Sequence, residues 1–198
     1  MLRNKFPNEE VGACLGNHGY WTYTKIPSVH GVQDVVDITK EYFEEFGIQY
    51  LPEQPLEREG VFITSFNGWY HDIYVNREPY IPHFDDPADG RQKLSRLAYQ
   101  GFNKCLVEVE QAKQKGLKTI LCTHFGSIKS ASELDYKSQG SALYFGANPS
   151  WEDHLDNVDY YFFGHSHVAF DGFAKNGKTR VLNAGSDYED VKYKVIEL

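Results

Sequence analysis

Two histidines separated by one residue stand where a predicted buried strand ends in a glycine turn. The segment Gly164-His165-Ser166-His167 directly follows the apolar run at residues 160–163. Side chains at i and i+2 of a strand point to the same side, and a turn that begins at glycine allows their directions to be adjusted. Because neutral imidazole is a common ligand for transition metals, this spacing indicates that both rings could serve a metal centre.

Two other predicted strand ends carry donors of the same kind. Asn17 and His18 follow the strand predicted at residues 11–15, and His124 follows the strand predicted at residues 119–122. A carboxamide oxygen is a harder neutral ligand than imidazole, and the ligands of open α/β sheets collect beyond the carboxyl ends of the strands. A single histidine in a turn is more often structural than a metal ligand. The joint pattern nevertheless predicts a metal site.

The hydrophobic pattern around these segments predicts alternating strands and helices. Apolar residues at helical spacing predict helices at residues 35–46 and 94–112, ended by Gly47 and Gly116, and residues 61–66 are predicted to form a buried strand. The remaining predicted elements are a short helix opened by a capping box at residues 150–153, a hairpin of strands at 170–174 and 179–182 joined by Asn176-Gly177, and a last strand at 192–196. The fold class predicted is α/β, a layered sandwich of two mixed β-sheets flanked by helices.

Composition narrows the class of protein. The formal net charge of −8 argues against a broad nucleic-acid surface. The sequence contains no apolar run long enough to span a membrane, which takes about 18 residues. Cys14, Cys105 and Cys122 show no C-x-x-C spacing and lie in apolar segments, so we expect buried, reduced thiols. These features predict a cytoplasmic protein.

The donor segments together resemble the motifs of the calcineurin-like metallophosphoesterase family. They are Gly16-Asn17-His18, Thr123-His124, Gly164-His165-Ser166-His167 and, beyond them, Asn183-Ala184-Gly185-Ser186. The resemblance spans nearly the whole chain. It implies a sandwich of two β-sheets with a two-metal centre at the strand ends, and hydrolysis of phosphomonoesters, phosphodiesters or pyrophosphates.

The same resemblance implies a role for each donor. Asn17, His124 and His165 would ligate one metal ion, and His167 would ligate the other. His18 would be the catalytic residue that approaches the scissile phosphate, where it stabilises charge or protonates the leaving oxygen. Two divalent ions, Mn, Fe or Zn, would activate a hydroxide, and the substrate would be a phosphorylated small molecule or a phosphodiester.

The sequence departs from the family pattern in its acidic residues. Gly19 stands where the family usually places Asp or Glu, and no aspartate or histidine precedes Asn17, so the Asp-x-His and Gly-Asp motifs are absent. Without an anionic bridge, two adjacent dications repel each other strongly. Four other acids could take the place of the missing aspartate: Asp72, Asp85, Asp86 and Asp187. Each of them is more readily explained as a solvated loop residue.

These departures predict that residues 1–198 form a single domain corresponding to the C-terminal portion of such a phosphoesterase domain, with only part of the site. Upstream DNA should then encode the missing motifs, or a separate N-terminal polypeptide should supply them, and the exposed sheet edge could mediate a dimer. The alternative function is a catalytically silent domain that binds a partner or a single metal ion. Trp69 and Tyr70 either line the substrate pocket or serve in packing.

Overall fold

Two β-sheets and three α-helices make up the part of the chain that the structure describes. This computed structural model describes residues 9–23, 26–69, 93–128, 148–186 and 192–198, and for residues 21–23 and 149 it describes the backbone only. In chain order the elements are β1 (Val11–Ala13), α1 (Asn17–Tyr23), α2 (Val32–Glu45), β2 (Ile48–Tyr50), β3 (Leu56–Arg58), β4 (Val61–Phe66), α3 (Leu94–Gln114), β5 (Lys118–Thr123), a 3₁₀ helix (Pro149–His154), β6 (Tyr160–Phe163), β7 (Phe170–Phe173) and β8 (Arg180–Asn183).

The larger sheet has six strands in the order β3-β4-β5-β6-β8-β7. Strands β4, β5, β6 and β8 are parallel to one another, and the edge strands β3 and β7 are antiparallel to their neighbours. The carboxyl ends of the four parallel strands therefore lie along one edge, where α/β sheets usually bind ligands.

The smaller sheet consists of β1 and β2, which pair in parallel, with α1 and α2 between them in the chain. Its carboxyl end adjoins that of β4, because the backbone N–H of Leu15 donates to Asn67 Oδ1 at 2.9 Å. The prediction of an α/β fold with two sheets flanked by helices is confirmed. Within the described residues, only the larger sheet is mixed.

Helix α3 covers one face of the larger sheet. Phe66 at the end of β4 meets Phe102 of α3 edge to face, with ring centres 5.7 Å apart, and Trp151 stacks on Phe102 at 4.5 Å. All three side chains are at most 5% exposed. Burying each such aromatic contributes about 1.5–3 kcal/mol, so this cluster holds helix and sheet together near the ends of the parallel strands.

Glycines end the two long helices, as the sequence predicts. Helix α2 ends at Glu45 and Gly47 follows with φ of 61°, while α3 ends at Gln114 and Gly116 follows with φ of 77°. Residues with a side chain rarely adopt this left-handed conformation, so glycine is the residue that stops a helix there. Among the described helices, none is both long and apolar enough to cross a membrane.

The three cysteines are unpaired, as predicted for reduced thiols. Cys105 is buried, whereas Cys14 and Cys122 are only partly buried. Burial raises the pKa of Cys14 to about 11 and that of Cys105 to about 12. These thiols are therefore protonated and poorly reactive at neutral pH.

Three local predictions are wrong. The predicted last strand at residues 192–196 is not a strand, although Tyr193 and Val195 alternate as in one; they are 82% and 79% exposed, so no packing fixes the pattern. The predicted loop at Asn17 is the start of α1. The short helix after residue 148 is capped by Asn148, whose Oδ1 accepts from Ser150 N at 3.0 Å, and not by Ser150.

Candidate functional site

Asn17, His124 and His165 come together at the edge formed by the strand ends. Asn17 is fully buried at the first position of α1, and its Oδ1 lies 2.7 Å from Nε2 of His124, just beyond β5. The ring of His165, just beyond β6, has its centre 5.1 Å from that of His124. Three donors from three different strand ends thus meet. Their roles as metal ligands stay predictions.

Two glycines form the slot that holds the His124 imidazole. A Cβ built on Gly16 would lie 2.8 Å from the ring atoms Cε1 and Nδ1 of His124, and a Cβ on Gly164 would lie 3.4 Å from Nδ1. The backbone of Gly164 also donates to the carbonyl of His124 at 3.0 Å. The glycines that precede Asn17 and His165 in the sequence therefore bring the chain against the ring.

His165 occupies a tight turn with a left-handed backbone. Its φ is 62°, and the N–H of Ser166 donates to the carbonyl of Gly164 at 2.7 Å. A hydrogen bond from i+2 to i around a residue with positive φ is the pattern of a strained γ-turn. Backbone strain of this kind concentrates at functional sites. The turn carries the His165 ring onto Phe125, with ring centres 4.3 Å apart.

His18 and His167 lie within electrostatic range of this group. His18 is exposed on α1, and its pKa is lowered by desolvation and by the charge of His167. Burial, followed by the charges of His165, His18 and His167, lowers the pKa of His124 to about 3. All four histidines therefore face one region, and His124 is a neutral imidazole at physiological pH.

The loop that carries His165 and His167 is held from β8. Asn183, the last residue of β8, donates from Nδ2 to the carbonyls of Ser166 and Val168 at 2.9 and 3.1 Å. Its Oδ1 accepts from the N–H of Gly185 at 3.0 Å. This single carboxamide therefore fixes the backbone on both sides of His167.

The donor set fits part of one metal site. Two ligand atoms each about 2.1 Å from an ion and at right angles lie about 3 Å apart, so the 2.7 Å between Asn17 Oδ1 and His124 Nε2 is compatible with one shared ion. Among the described residues, however, no group of three or more His, Cys, Asp or Glu side chains could hold a metal ion. These residues do not fit a two-metal centre, since the anionic bridge has no candidate among them.

Several sequence predictions fall outside the described residues. They are those on Asp72, Asp85, Asp86, Asp187 and Tyr70. Trp69 is described and is 3% exposed, packed edge to face against Tyr20 and Phe125 at 5.4 and 5.9 Å. The packing alternative for Trp69 is therefore correct.

Gly19, which carries no acid to orient His18, lies against Leu15. A Cβ built there would lie 2.6 Å from Cδ2 of Leu15, so the helix packs closely on that side chain.

Sequence reasoning missed two contributors to the site. Phe125 is fully buried and lies under His165, and its place directly after His124 was the available signal. Asn67 follows β4 just as Asn17 follows a strand-terminal loop, and it bonds to Leu15 near Asn17.

A separate pocket of about 500 Å³ lies away from these histidines. Its lining includes Glu9, Glu10, Leu56, Arg58, Glu59 and Ile63. Arg58 pairs with Glu10 at 2.5 Å, which leaves the lining with an excess of acidic side chains. An acidic lining disfavours a phosphorylated ligand, so this pocket is a poor candidate for one.

Comparison with known proteins finds solved structures of similar fold. No family model and no curated protein matches the chain. The crystal structure of a phosphopantetheinyl hydrolase from Mycobacterium tuberculosis superposes with a TM-score of 0.67, at 17% identity, covering 92% of this chain and 70% of that one. At this identity the likeness shows the fold alone.

The comparisons overturn the family assignment made from the sequence motifs. The prediction that the chain belongs to the calcineurin-like metallophosphoesterase family is wrong, because no family model matches and the chain is similar in structure to a phosphopantetheinyl hydrolase. Motifs of three or four residues are weak evidence of common descent, since a glycine turn with histidine donors can serve metal binding in unrelated proteins. The single domain over residues 1–198 stays a prediction.

Proposed function

We propose that this chain hydrolyses a phosphate ester with the help of a divalent metal ion at the strand ends. The observation that carries the proposal is the 2.7 Å contact between Asn17 Oδ1 and His124 Nε2, beside His165. The fold is shared with a phosphopantetheinyl hydrolase, whose substrate group is phosphorylated. A soluble phosphorylated molecule or a phosphodiester is therefore the substrate class to test.

The site offers hydrogen-bond donors to an anionic substrate. His18, His165 and His167 act electrostatically on His124, so four rings whose N–H groups can donate to phosphate oxygens face one region. Because the chain as a whole has a net charge of −8, a phosphate would have to be attracted by this local region rather than by the overall field. The lowered pKa of His124 keeps its nitrogen lone pair available, as a metal ligand requires.

Each histidine has a distinct part in the proposed reaction. A bound divalent ion would polarise the phosphoryl group and lower the pKa of a water molecule. Asn17, His124 and His165 would hold that ion, and the strained turn at His165 fixes the direction of its ring. His18, exposed at the rim, would donate a hydrogen bond to a phosphate oxygen or to the leaving oxygen.

Among the described residues, His167 is the one ligand proposed for a second metal ion. Its partners would include acidic residues that lie outside the described ranges, such as Asp72 or Asp187. Mn, Fe and Zn all suit nitrogen and amide-oxygen ligands, so reconstitution with each is needed to choose among them.

The test measures metal content and turnover together. The chain is stripped with a chelator, reloaded with Mn²⁺, Fe²⁺ or Zn²⁺, and assayed on p-nitrophenyl phosphate, bis-p-nitrophenyl phosphate and a phosphopantetheinyl ester. We expect metal-dependent hydrolysis that His124→Ala and His165→Ala abolish together with bound metal. His154→Ala, an exposed histidine on the 3₁₀ helix, is the matched control and should change neither. Turnover that survives both site substitutions would refute the proposal.

A second candidate is a catalytically silent domain that binds a single metal ion or a partner. The absence of any group of three His, Cys, Asp or Glu ligands within the described ranges favours it. One equivalent of metal or less, lost in His124→Ala, with no turnover on any of the three esters would support this function over hydrolysis. Co-purification of a specific polypeptide would support the partner-binding form.

A further inference from the structure

Asn67 uses its whole carboxamide to join three separate elements. It lies directly beyond β4, and its Oδ1 accepts from the backbone N–H of Leu15 at 2.9 Å. Its Nδ2 donates to the hydroxyl of Tyr50 at the end of β2, and the hydroxyl of Tyr20 on α1 interacts with the same side chain, which acts to lower the pKa of that hydroxyl. An amide group has two N–H donors and one oxygen acceptor, so these interactions employ both ends of the group.

Two of the partners of Asn67 flank Asn17 in the sequence. Leu15 lies two residues before Asn17, and Tyr20 lies three residues after it, one turn later on the same helix. Helix α1 has seven residues, far fewer than an isolated helix needs to be stable in water. Its position therefore depends on tertiary contacts, and Tyr20, which is 2% exposed, supplies a large buried side chain.

The residues after β4 also reach the other half of the site. Trp69 lies edge to face on Tyr20 at 5.4 Å and on Phe125 at 5.9 Å, and Phe125 lies under His165. The segment from Asn67 to Trp69 thus contacts the helix that begins with Asn17 and the aromatic side chain that supports His165.

We propose that Asn67 is a positioning residue that holds Asn17 Oδ1 against Nε2 of His124. It acts through Leu15 and Tyr20, which fix the backbone around Asn17, and not by touching a substrate or metal ion. A role of Asn67 in catalysis rests on the proposed function. The placement of Asn17 by Asn67 does not depend on whether the chain is a hydrolase.

The test compares Asn67→Leu and Tyr20→Phe with Thr179→Val. Leucine keeps the size of Asn67 without its hydrogen bonds, and Tyr20→Phe removes one hydroxyl from the same network. Thr179 is fully buried just before β8, at the end of that strand opposite to Asn183, and its Oγ1 donates to the carbonyls of Leu155 and Val158 at 2.8 Å. Thr179→Val therefore removes buried hydrogen bonds that involve none of Asn67, Asn17 and His124, and it serves as the control.

Two readouts are needed, one of them independent of metal. Calorimetric titration of the stripped protein with Mn²⁺ measures affinity, and ¹⁵N NMR of the metal-free protein follows the Asn17 side-chain amide and the His124 ring nitrogens. We expect Asn67→Leu to weaken Mn²⁺ binding at least tenfold, as losses of such supporting bonds do, and to shift both NMR signals. Tyr20→Phe should act in the same direction, and Thr179→Val should lower the melting temperature while leaving affinity within twofold.

The outcomes separate this inference from the proposed function. Wild-type protein that binds none of Mn²⁺, Fe²⁺ and Zn²⁺ would contradict the metal-dependent function, and the NMR signals of Asn17 and His124 would still decide the role of Asn67. Unchanged signals and affinity in Asn67→Leu would overturn the positioning role. If Asn67→Leu does not fold, Tyr20→Phe decides by the same two measurements.

Discussion

Gly16 lies directly against the imidazole of His124, so close that a Cβ at this position would be 2.8 Å from two ring atoms. The contact links the loop before α1 to the end of β5, which come from distant parts of the chain. It explains why glycine precedes Asn17: the backbone has to approach the ring for Asn17 Oδ1 to reach Nε2.

The first prediction follows from this contact. Gly16→Ala should push the His124 ring away from Asn17 and reduce metal content, because the clash is with a ring confined by Gly164 on another side. Gly164→Ala is the matched control, since its Cβ would meet the ring at 3.4 Å, an ordinary van der Waals distance. Metal analysis and thermal melting of both variants check the prediction; equal behaviour of the two would contradict it.

A second prediction concerns the carboxamide of Asn183. Asn183→Ala should destabilise the protein by about 1–3 kcal/mol and loosen the loop that holds His165 and His167, because buried backbone groups lose their partner. Asn176→Ala is the comparison: its carboxamide also bonds backbone groups, with Oδ1 accepting from the N–H groups of Lys178 and Thr179, but in the β7–β8 turn. Denaturant unfolding measures both losses. Only Asn183→Ala should also lower metal content.

The strained turn at His165 gives a third prediction. His165→Gly and His165→Ala should both remove the candidate ligand, but the glycine variant should be more stable than the alanine variant by about 1 kcal/mol, because φ of 62° suits glycine. The order of stabilities in urea unfolding is the measurement. An alanine variant as stable as the glycine variant would show that the backbone relaxes there.

The elements predicted correctly are those in which the hydrophobic pattern of the sequence agrees with the burial of the element in the fold. Strand β4 at residues 61–66 and strand β6 at residues 160–163 are found as predicted, because apolar runs of this length suit a sheet buried by its neighbours. Helix α1 was missed, since its residues include Gly19 and have low helical propensity, and tertiary contacts of Tyr20 decide its conformation.

Proximity within the site was only partly predictable. The rule that ligands gather beyond parallel strand ends placed His124 and His165 together, and their rings are indeed neighbours. The bond from Asn67 to Leu15 joins residues 52 positions apart, and no local pattern specifies it. Family membership was inferred from the motifs alone and was wrong. A few donor residues indicate the kind of chemistry at a site more reliably than the family of the protein.

The last prediction concerns pH. Burial, together with the charges of His165, His18 and His167, lowers the pKa of His124 from 6.5 to about 3 in the folded protein. Between these two values the unfolded chain binds a proton that the folded chain does not, so the free energy of unfolding should fall as the pH is lowered from 6.5 towards 3. Urea unfolding of the metal-free protein at several pH values measures this slope. His124→Gln, which cannot titrate, should show a shallower slope than wild type. A slope that is identical in His124→Gln and wild type would show that His124 is not held in its neutral form by the fold.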